Sequence, residues 1–183
     1  IYTQAYTLSL HDALPISDMT HDPSVSAASA QPGPAPREYL SFMLADETYA
    51  IDILAVREIR ADEPTTRIAG APDHVRGVVN LRGVIVPVVD LRRHLGLGAT
   101  AAGGTTVIVV LELETRLVGM LVDALNDVIP LREEDIRPAP ELASAAGAGY
   151  IRGLAAADER MLIVLDVVGL LQSPEMALFG PRE

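Results

Sequence analysis

The chain has 183 residues, 49% of them hydrophobic, which suits one globular domain or two small ones with a core to bury. All 14 basic residues are Arg and the formal net charge is -11, so nucleic acid and anionic membrane surfaces are poor partners, and phosphate-loop or Schiff-base lysines are excluded. There is no Cys, which removes disulfides, thiolate zinc sites and thiol nucleophiles and fits a reducing compartment.

Residues 1–17 show no clean period and resemble translated sequencing-adapter read-through, which makes Met19 the natural start. Residues 22–36 are rich in Ser, Ala and Pro and read as a flexible tail, so 1–36 is expected to be disordered. No secretory signal is expected, since no basic region precedes an apolar stretch. The longest apolar run, 161–171, is interrupted by Asp166 and is too short for a membrane span.

From Glu38 the pattern alternates. Leu40, Phe42 and Leu44, then Tyr49, Ile51 and Ile53, predict a hairpin turning at Ala45-Asp46-Glu47. Residues 54–59 predict a third strand with Val56 and Glu58 on one side. Residues 62–71 read as loop, broken by Pro64 and Gly70.

Residues 75–96 read V-R-G-V-V-N-L-R-G-V-I-V-P-V-V-D-L-R-R-H-L-G. Two runs rich in β-branched residues flank the turn Asn80-Leu81-Arg82-Gly83, a hairpin signal. Pro87 cannot donate to a ladder, so its strand is expected at an edge or a bulge. Asp90 caps a helical turn over 91–95, which Gly96 stops. Arg82 is a long cation at the tip of an otherwise apolar hairpin.

After the small-residue linker 96–104, strands are expected over 106–113, 117–122 and 123–129. Glu133-Glu134-Asp135 predicts one acidic helical turn. Residues 151–154 and 161–165 form a hairpin, and 166–171 a turn of helix. Ser173-Pro174-Glu175 reads as a helix start, with a C-terminal helix over 174–179.

The two halves repeat each other. Tyr49-Ala50-Ile51-Asp52-Ile53 corresponds to Val118-Gly119-Met120-Leu121-Val122 at an offset of 119 − 50 = 69. Arg76-Gly77-Val78 corresponds to Arg152-Gly153-Leu154, and Val88-Val89-Asp90-Leu91 to Val164-Leu165-Asp166-Val167, both at 76. The expected fold is mostly β: two small five-stranded antiparallel barrels, one over about 38–98 and one over about 104–171.

The order Y-x-I-D-I-L-x-V-x-E-I, then R-G-V-V-N-L-R-G-V-I-V-P-V-V-D-L-R, then I-R-P-A-P-E and R-M-L-I-V-L-D resembles the bacterial chemotaxis coupling (adaptor) family CheW over about 37–179. The resemblance implies two tandem five-stranded SH3-like barrels with short helices, the C-terminal helix 174–179 packing on the first. It implies a non-enzymatic, cytoplasmic adaptor at membrane-associated receptor arrays. Such an adaptor bridges chemoreceptor cytoplasmic tips to the regulatory domain of the histidine kinase CheA and uses no cofactor. Ile53, Val56 and Leu125 resemble residues lining an apolar receptor groove. Glu58, Gly77 and Arg82 resemble receptor and signalling positions, with Ile108 beside them. Arg60 and Arg67 mark the expected kinase side.

Plainer readings stand beside these. Arg82 and Glu58 read equally as a solvated charge and a strand residue, or as an ion pair within the domain. Ile53, Val56 and Leu125 read equally as core. Asp90 and Asp166 read as caps rather than a general acid-base pair. His74 and His94 read as surface residues, and metal ligation by His11 and His21 is not expected. The alternatives to a free-standing adaptor are the coupling domain of a larger chemosensory protein and a small-molecule-binding double barrel. The chain is too short to carry a kinase or receiver domain as well.

Overall fold

A computed structural model describes residues 34–98, 105–113, 116–139, 149–157 and 159–173. Of the expected tail over 1–36, residues 1–33 lie outside these residues, as does the C-terminal helix over 174–179, while residues 34–36 are described as exposed chain outside any strand. The strands are β1 (Arg37–Leu44), β2 (Glu47–Asp52), β3 (Val56–Ala61), β4 (Val75–Leu81), β5 (Val84–Asp90), β6 (Val107–Leu113), β7 (Arg116–Val122), β8 (Ala124–Leu131), β9 (Ile151–Ala157) and β10 (Arg160–Leu165). Two short helices follow the last strand of each half, α1 (Leu91–His94) and α2 (Val167–Gln172).

The strands form two five-stranded sheets in the orders β8-β1-β2-β10-β9 and β3-β6-β7-β5-β4. This corrects the contiguous division at about 38–98 and 104–171. One barrel runs unbroken from β3 to β7. The other is assembled from the two ends of the chain, β1 and β2 with β8, β9 and β10. Each barrel therefore takes two strands from one half of the repeat and three from the other. The chain changes sheet twice, through the 3-10 turn Ile53–Ala55 and at Asp123. Nor is the pairing wholly antiparallel: Val164 lies beside Ala50, and Val88 beside Gly119, in parallel pairs. The two pairs are copies of one another at the repeat offsets.

Pro87 is accommodated differently from expectation. Its strand, β5, is interior to its sheet, between β7 and β4. The parallel ladder to β7 begins only at Val88, so Pro87 lies where β5 pairs with β4 alone. A missing donor there breaks no second ladder.

Each ring closes through a single bridge, and the closures explain the Arg-Gly pairs of the repeat. Thr66, beyond β3, bridges Val78, with Thr66 N–H donating to Val78 O at 2.9 Å and Val78 N–H to Thr66 O at 2.8 Å. Arg137, beyond β8, bridges Leu154 with distances of 2.8 and 2.7 Å. A Cβ at Gly77 would collide with the Thr66 carbonyl, and one at Gly153 with the Arg137 carbonyl. Gly77 also has φ +146, which side-chain-bearing residues avoid. The preceding arginines fasten the same closures, Arg76 to Asp62 at 3.0 Å and Arg152 to Glu133.

Burial divides into three clusters. Val79, Leu81, Val86, Val88, Ile108, Val110 and Leu121 fill one barrel. Tyr39, Ala50, Leu131, Ala155, Leu162 and Val164 fill the other. The largest lies between the sheets, where Leu40, Phe42 and Ile51 meet Val89, Leu111 and Met120. Alternate residues of one strand thus serve different cores: Ile108 and Val110 point into a barrel, Val109 and Leu111 toward its neighbour. That is why β6 reads as a continuous apolar run rather than an alternation. Asp90 and Asp166 cap α1 and α2 as expected, accepting from Arg93 N–H at 3.2 Å and from Val168 and Gly169 N–H at 3.1 Å.

Two expectations follow. Gly77→Ala and Gly153→Ala should each destabilise the fold by about 3 kcal/mol or more, because closure forbids a Cβ. Gly149→Ala, whose added atom meets nothing within 4 Å, should be near neutral in the same denaturant titration. Burial pushes the Tyr39 and Tyr49 phenols above their ordinary value of 10.0. The fold favours their neutral forms, so this stability is fully present below pH 10 and is lost as pH rises through the folded values. Absorbance at 295 nm should show both titrating late, with stability falling over the same window.

Candidate functional site

The expected groove residues sit at the two changes of sheet. Asp52 caps the 3-10 turn by accepting from Leu54 N–H at 2.9 Å, which fixes Ile53 and starts β3 at Val56. Leu125 is the second residue of β8. Val56 and Leu125 are repeat equivalents, since 125 − 56 = 69. All three are half-buried and pack on the core between the sheets. Their inner faces therefore belong to the fold, and their outer faces remain open to solvent.

Two residues beyond Val56, Glu58 starts a line of charge. Its Oε2 accepts from Arg82 Nη2 at 3.2 Å, and its Oε1 lies 3.8 Å from Arg60 Nη1. Arg60 also donates from Nε to Glu63 Oε1 at 2.9 Å. The sequence Arg82, Glu58, Arg60, Glu63 alternates in sign, so none of these charges is left uncompensated. The reading of Glu58 and Arg82 as an ion pair within the domain holds. The hairpin that presents Arg82 is a two-residue turn closed by Leu81 and Val84. Asn80 Oδ1 accepts from Gly83 N–H at 2.8 Å and stiffens it.

Arg82 has φ +51 and Gly83 φ +90, the two left-handed positions of a type I′ turn. Asn-Gly or Gly-Gly meets that demand without strain, whereas an ordinary side chain there costs roughly 1–2 kcal/mol. An exposed ion pair returns about 0–1 kcal/mol. The side chain of Arg82 is 82% exposed. Stability alone does not account for an arginine at this position.

Three expected contact residues find other settings. Ile108 is fully buried inside the β3–β7 barrel and has no surface to offer a partner. Gly77 is buried at a closing bridge, and its lack of a side chain is a requirement of closure. Arg60 is engaged by two carboxylates, whereas Arg67 is exposed. His74 and His94 are half-buried rather than on the surface. Their rings meet edge to face at 5.0 Å, and His94 lies 5.3 Å from the Tyr150 ring. Among the described residues no group of three His, Cys, Asp or Glu converges to hold a metal ion, and no helix is long and apolar enough to cross a membrane.

Among the described residues eight large apolar side chains are exposed, and four of them form two repeat-related pairs that sequence reasoning missed. Ile59 and Val128 are 45% and 46% exposed and are related by 128 − 59 = 69. Ile85 and Met161 are 61% and 58% exposed and are related by 161 − 85 = 76. Each barrel thus shows an apolar side chain on its third and its fifth strand, counted in repeat order. The signal was present in the offsets, but alternation cannot tell an outward apolar residue from an inward one.

Comparison with known proteins agrees with this geometry. Residues 38–175 match the family model described as CheW-like domain. The chain is 49% identical over 142 residues to "Chemotaxis protein CheW" of Klebsiella aerogenes, covering 78% of this chain and 86% of that one. It is 37% identical over 139 residues to the protein of the same name from Rhizobium meliloti, covering 76% and 90%. Among solved structures it resembles the scaffolding protein TtCheW from Thermoanaerobacter tengcongensis, with TM-score 0.69 and 32% identity over 76% of this chain and 95% of that one. The two closed sheets, the repeat and these matches together place the chain in the CheW-like domain family of chemotaxis proteins.

Proposed function

We propose that this chain is a non-enzymatic adaptor that couples the cytoplasmic tips of chemoreceptors to the histidine kinase CheA. It acts in the cytoplasm at membrane-associated arrays and needs no cofactor. The observation that carries this reading is Arg82. It is an exposed cation held in a strained backbone conformation whose internal ion pair does not offset the strain. Such a side chain has its use outside the fold. A planar guanidinium on a stiff hairpin suits a partner carboxylate, which it can grip through two hydrogen bonds.

The receptor tip is helical, and helices dock by laying an apolar stripe into an open groove. Ile53, Val56 and Leu125 supply half-exposed apolar surface on a rigid base, and Glu58 positions Arg82 at its margin. Gly77 contributes indirectly, by closing the barrel that holds the hairpin.

The kinase regulatory domain has the same double-barrel fold, and the matched exposed residues support its docking on the outer surface of the barrels. Ile59 and Ile85 on one barrel, and Val128 and Met161 on the other, give each barrel an exposed apolar side chain on two of its strands. Arg67, exposed in the loop beyond β3, adds a cation to the β3–β7 barrel. The net charge of -11 speaks against nucleic acid and against direct binding to anionic lipid.

Co-sedimentation with receptor-containing membranes and purified CheA tests the reading. Arg82→Glu and Leu125→Glu should lose the receptor and keep the kinase. Ile85→Glu with Met161→Glu should lose the kinase and keep the receptor. Arg82→Gly should leave the unfolding free energy within about 1 kcal/mol of the parent, since it trades a weak surface pair for relief of backbone strain. Receptor binding by Arg82→Gly at the parent's level would refute the role given to this side chain. A parent chain that joins neither partner would refute the adaptor reading itself.

A further inference from the structure

Asp123 belongs to no motif, yet it lies where the chain passes from β7 to β8 and so from one sheet to the other. Its Oδ2 accepts from two directions. Ala45 N–H donates at 2.7 Å from the β1–β2 turn of one barrel. Arg92 Nη1 donates at 2.9 Å from α1, which follows β5 of the other. Asp123 N–H in turn donates to Met43 O at 3.1 Å. One carboxylate oxygen therefore ties both barrels to the crossover. The ion pair is mostly sheltered, with the two side chains 17% and 19% exposed. Ala45 is itself left-handed at φ +54, a conformation the carboxylate helps to hold.

The repeat shows that this fastening is not a general need of the fold. Asp123 corresponds to Leu54, since 123 − 54 = 69, and Arg92 to Val168, since 168 − 92 = 76. Leu54 is 85% exposed and Val168 is also exposed. At one change of sheet the equivalent positions form a sheltered ion pair. At the other they are bare apolar side chains. Both barrels close and both crossovers form, so the pair does something that packing of the shared core does not require.

We propose that Asp123 and Arg92 are positioning residues that fix one barrel against the other and thereby the shape of the apolar surface beside Leu125. Its bearing on receptor binding rests on the adaptor reading; its bearing on barrel placement does not. With the pair intact, the β1–β2 turn, the crossover and α1 share one anchor. Without it, each barrel keeps its own core and closing bridge and the shared core stays packed, but the β1–β2 turn, the crossover and α1 lose their common anchor and the placement of one barrel on the other loosens.

The chain has no Cys, so spin labels can be placed at will. Ile85→Cys and Met161→Cys put one exposed label on each barrel, and pulsed electron spin resonance reads the distribution of distances between them. The parent should give one narrow distribution. Asp123→Ala and Arg92→Leu should broaden it about twofold or more. Asp62→Ala, which breaks the half-buried ion pair to Arg76 within a single barrel, should lower the melting temperature without broadening it. Should Asp123→Ala fail to fold, Arg92→Leu and Asp123→Asn carry the same comparison. Unchanged widths in the Asp123 and Arg92 variants, or equal broadening by Asp62→Ala, would overturn the proposal. In the membrane co-sedimentation assay, Asp123→Ala should weaken receptor binding about tenfold. A broadened distance with full receptor binding would overturn the link to the groove while leaving the adaptor reading untouched.

Discussion

Strands of this chain are paired across its repeat, and the rest of the structure depends on that pairing. β2 lies beside β10 and β5 beside β7, so neither half can complete a barrel from its own strands. Two short crossovers carry this constraint. They bring the two sheets close enough for Leu40, Phe42 and Ile51 to pack directly on Val89, Leu111 and Met120. The core between the barrels is larger than the core inside either. A surface built over such a core is stiff, because the side chains beneath it have little freedom to rearrange.

The same arrangement explains where partners are expected to meet the molecule. Residues at a crossover belong to no regular ladder on one side, so part of each side chain stays exposed while the rest joins the common core. Ile53, Val56 and Leu125 have that double character. A residue in the middle of a strand, such as Ile108, is taken wholly by one barrel. Position at a crossover therefore separates these three half-buried residues from a wholly buried one such as Ile108, which hydrophobicity alone does not.

Much of this was legible in the chain. Alternation and turn residues located the ten strands, and the repeat offsets aligned the two halves. Asp90 and Asp166 were readable as caps because a short acidic residue just before a helical turn has one common use. Strand partnership was not legible. At the offsets of the repeat, β5 and β10 carry nearly the same pattern, so hydrophobic periodicity offers β2 two equivalent partners and does not choose between them. Gly77 and Gly153 were visible as paired glycines, but their reason, a carbonyl approaching from beyond another strand, is a tertiary fact. Asp123 was hidden for a related cause: its partners, Ala45 and Arg92, are remote in sequence, and its repeat equivalent is a leucine.

The exchange of strands has a consequence for half of this molecule taken alone. A segment equivalent to β1–β5 would supply two strands to one barrel and three to another, and would finish neither. A second copy with the roles reversed would complete both at once. The fold thus has the form of a strand-swapped dimer whose two subunits have been joined end to end. The connection between β5 and β6 then plays the part of a tether: it makes an encounter between two chains into an event within one, and frees assembly from concentration.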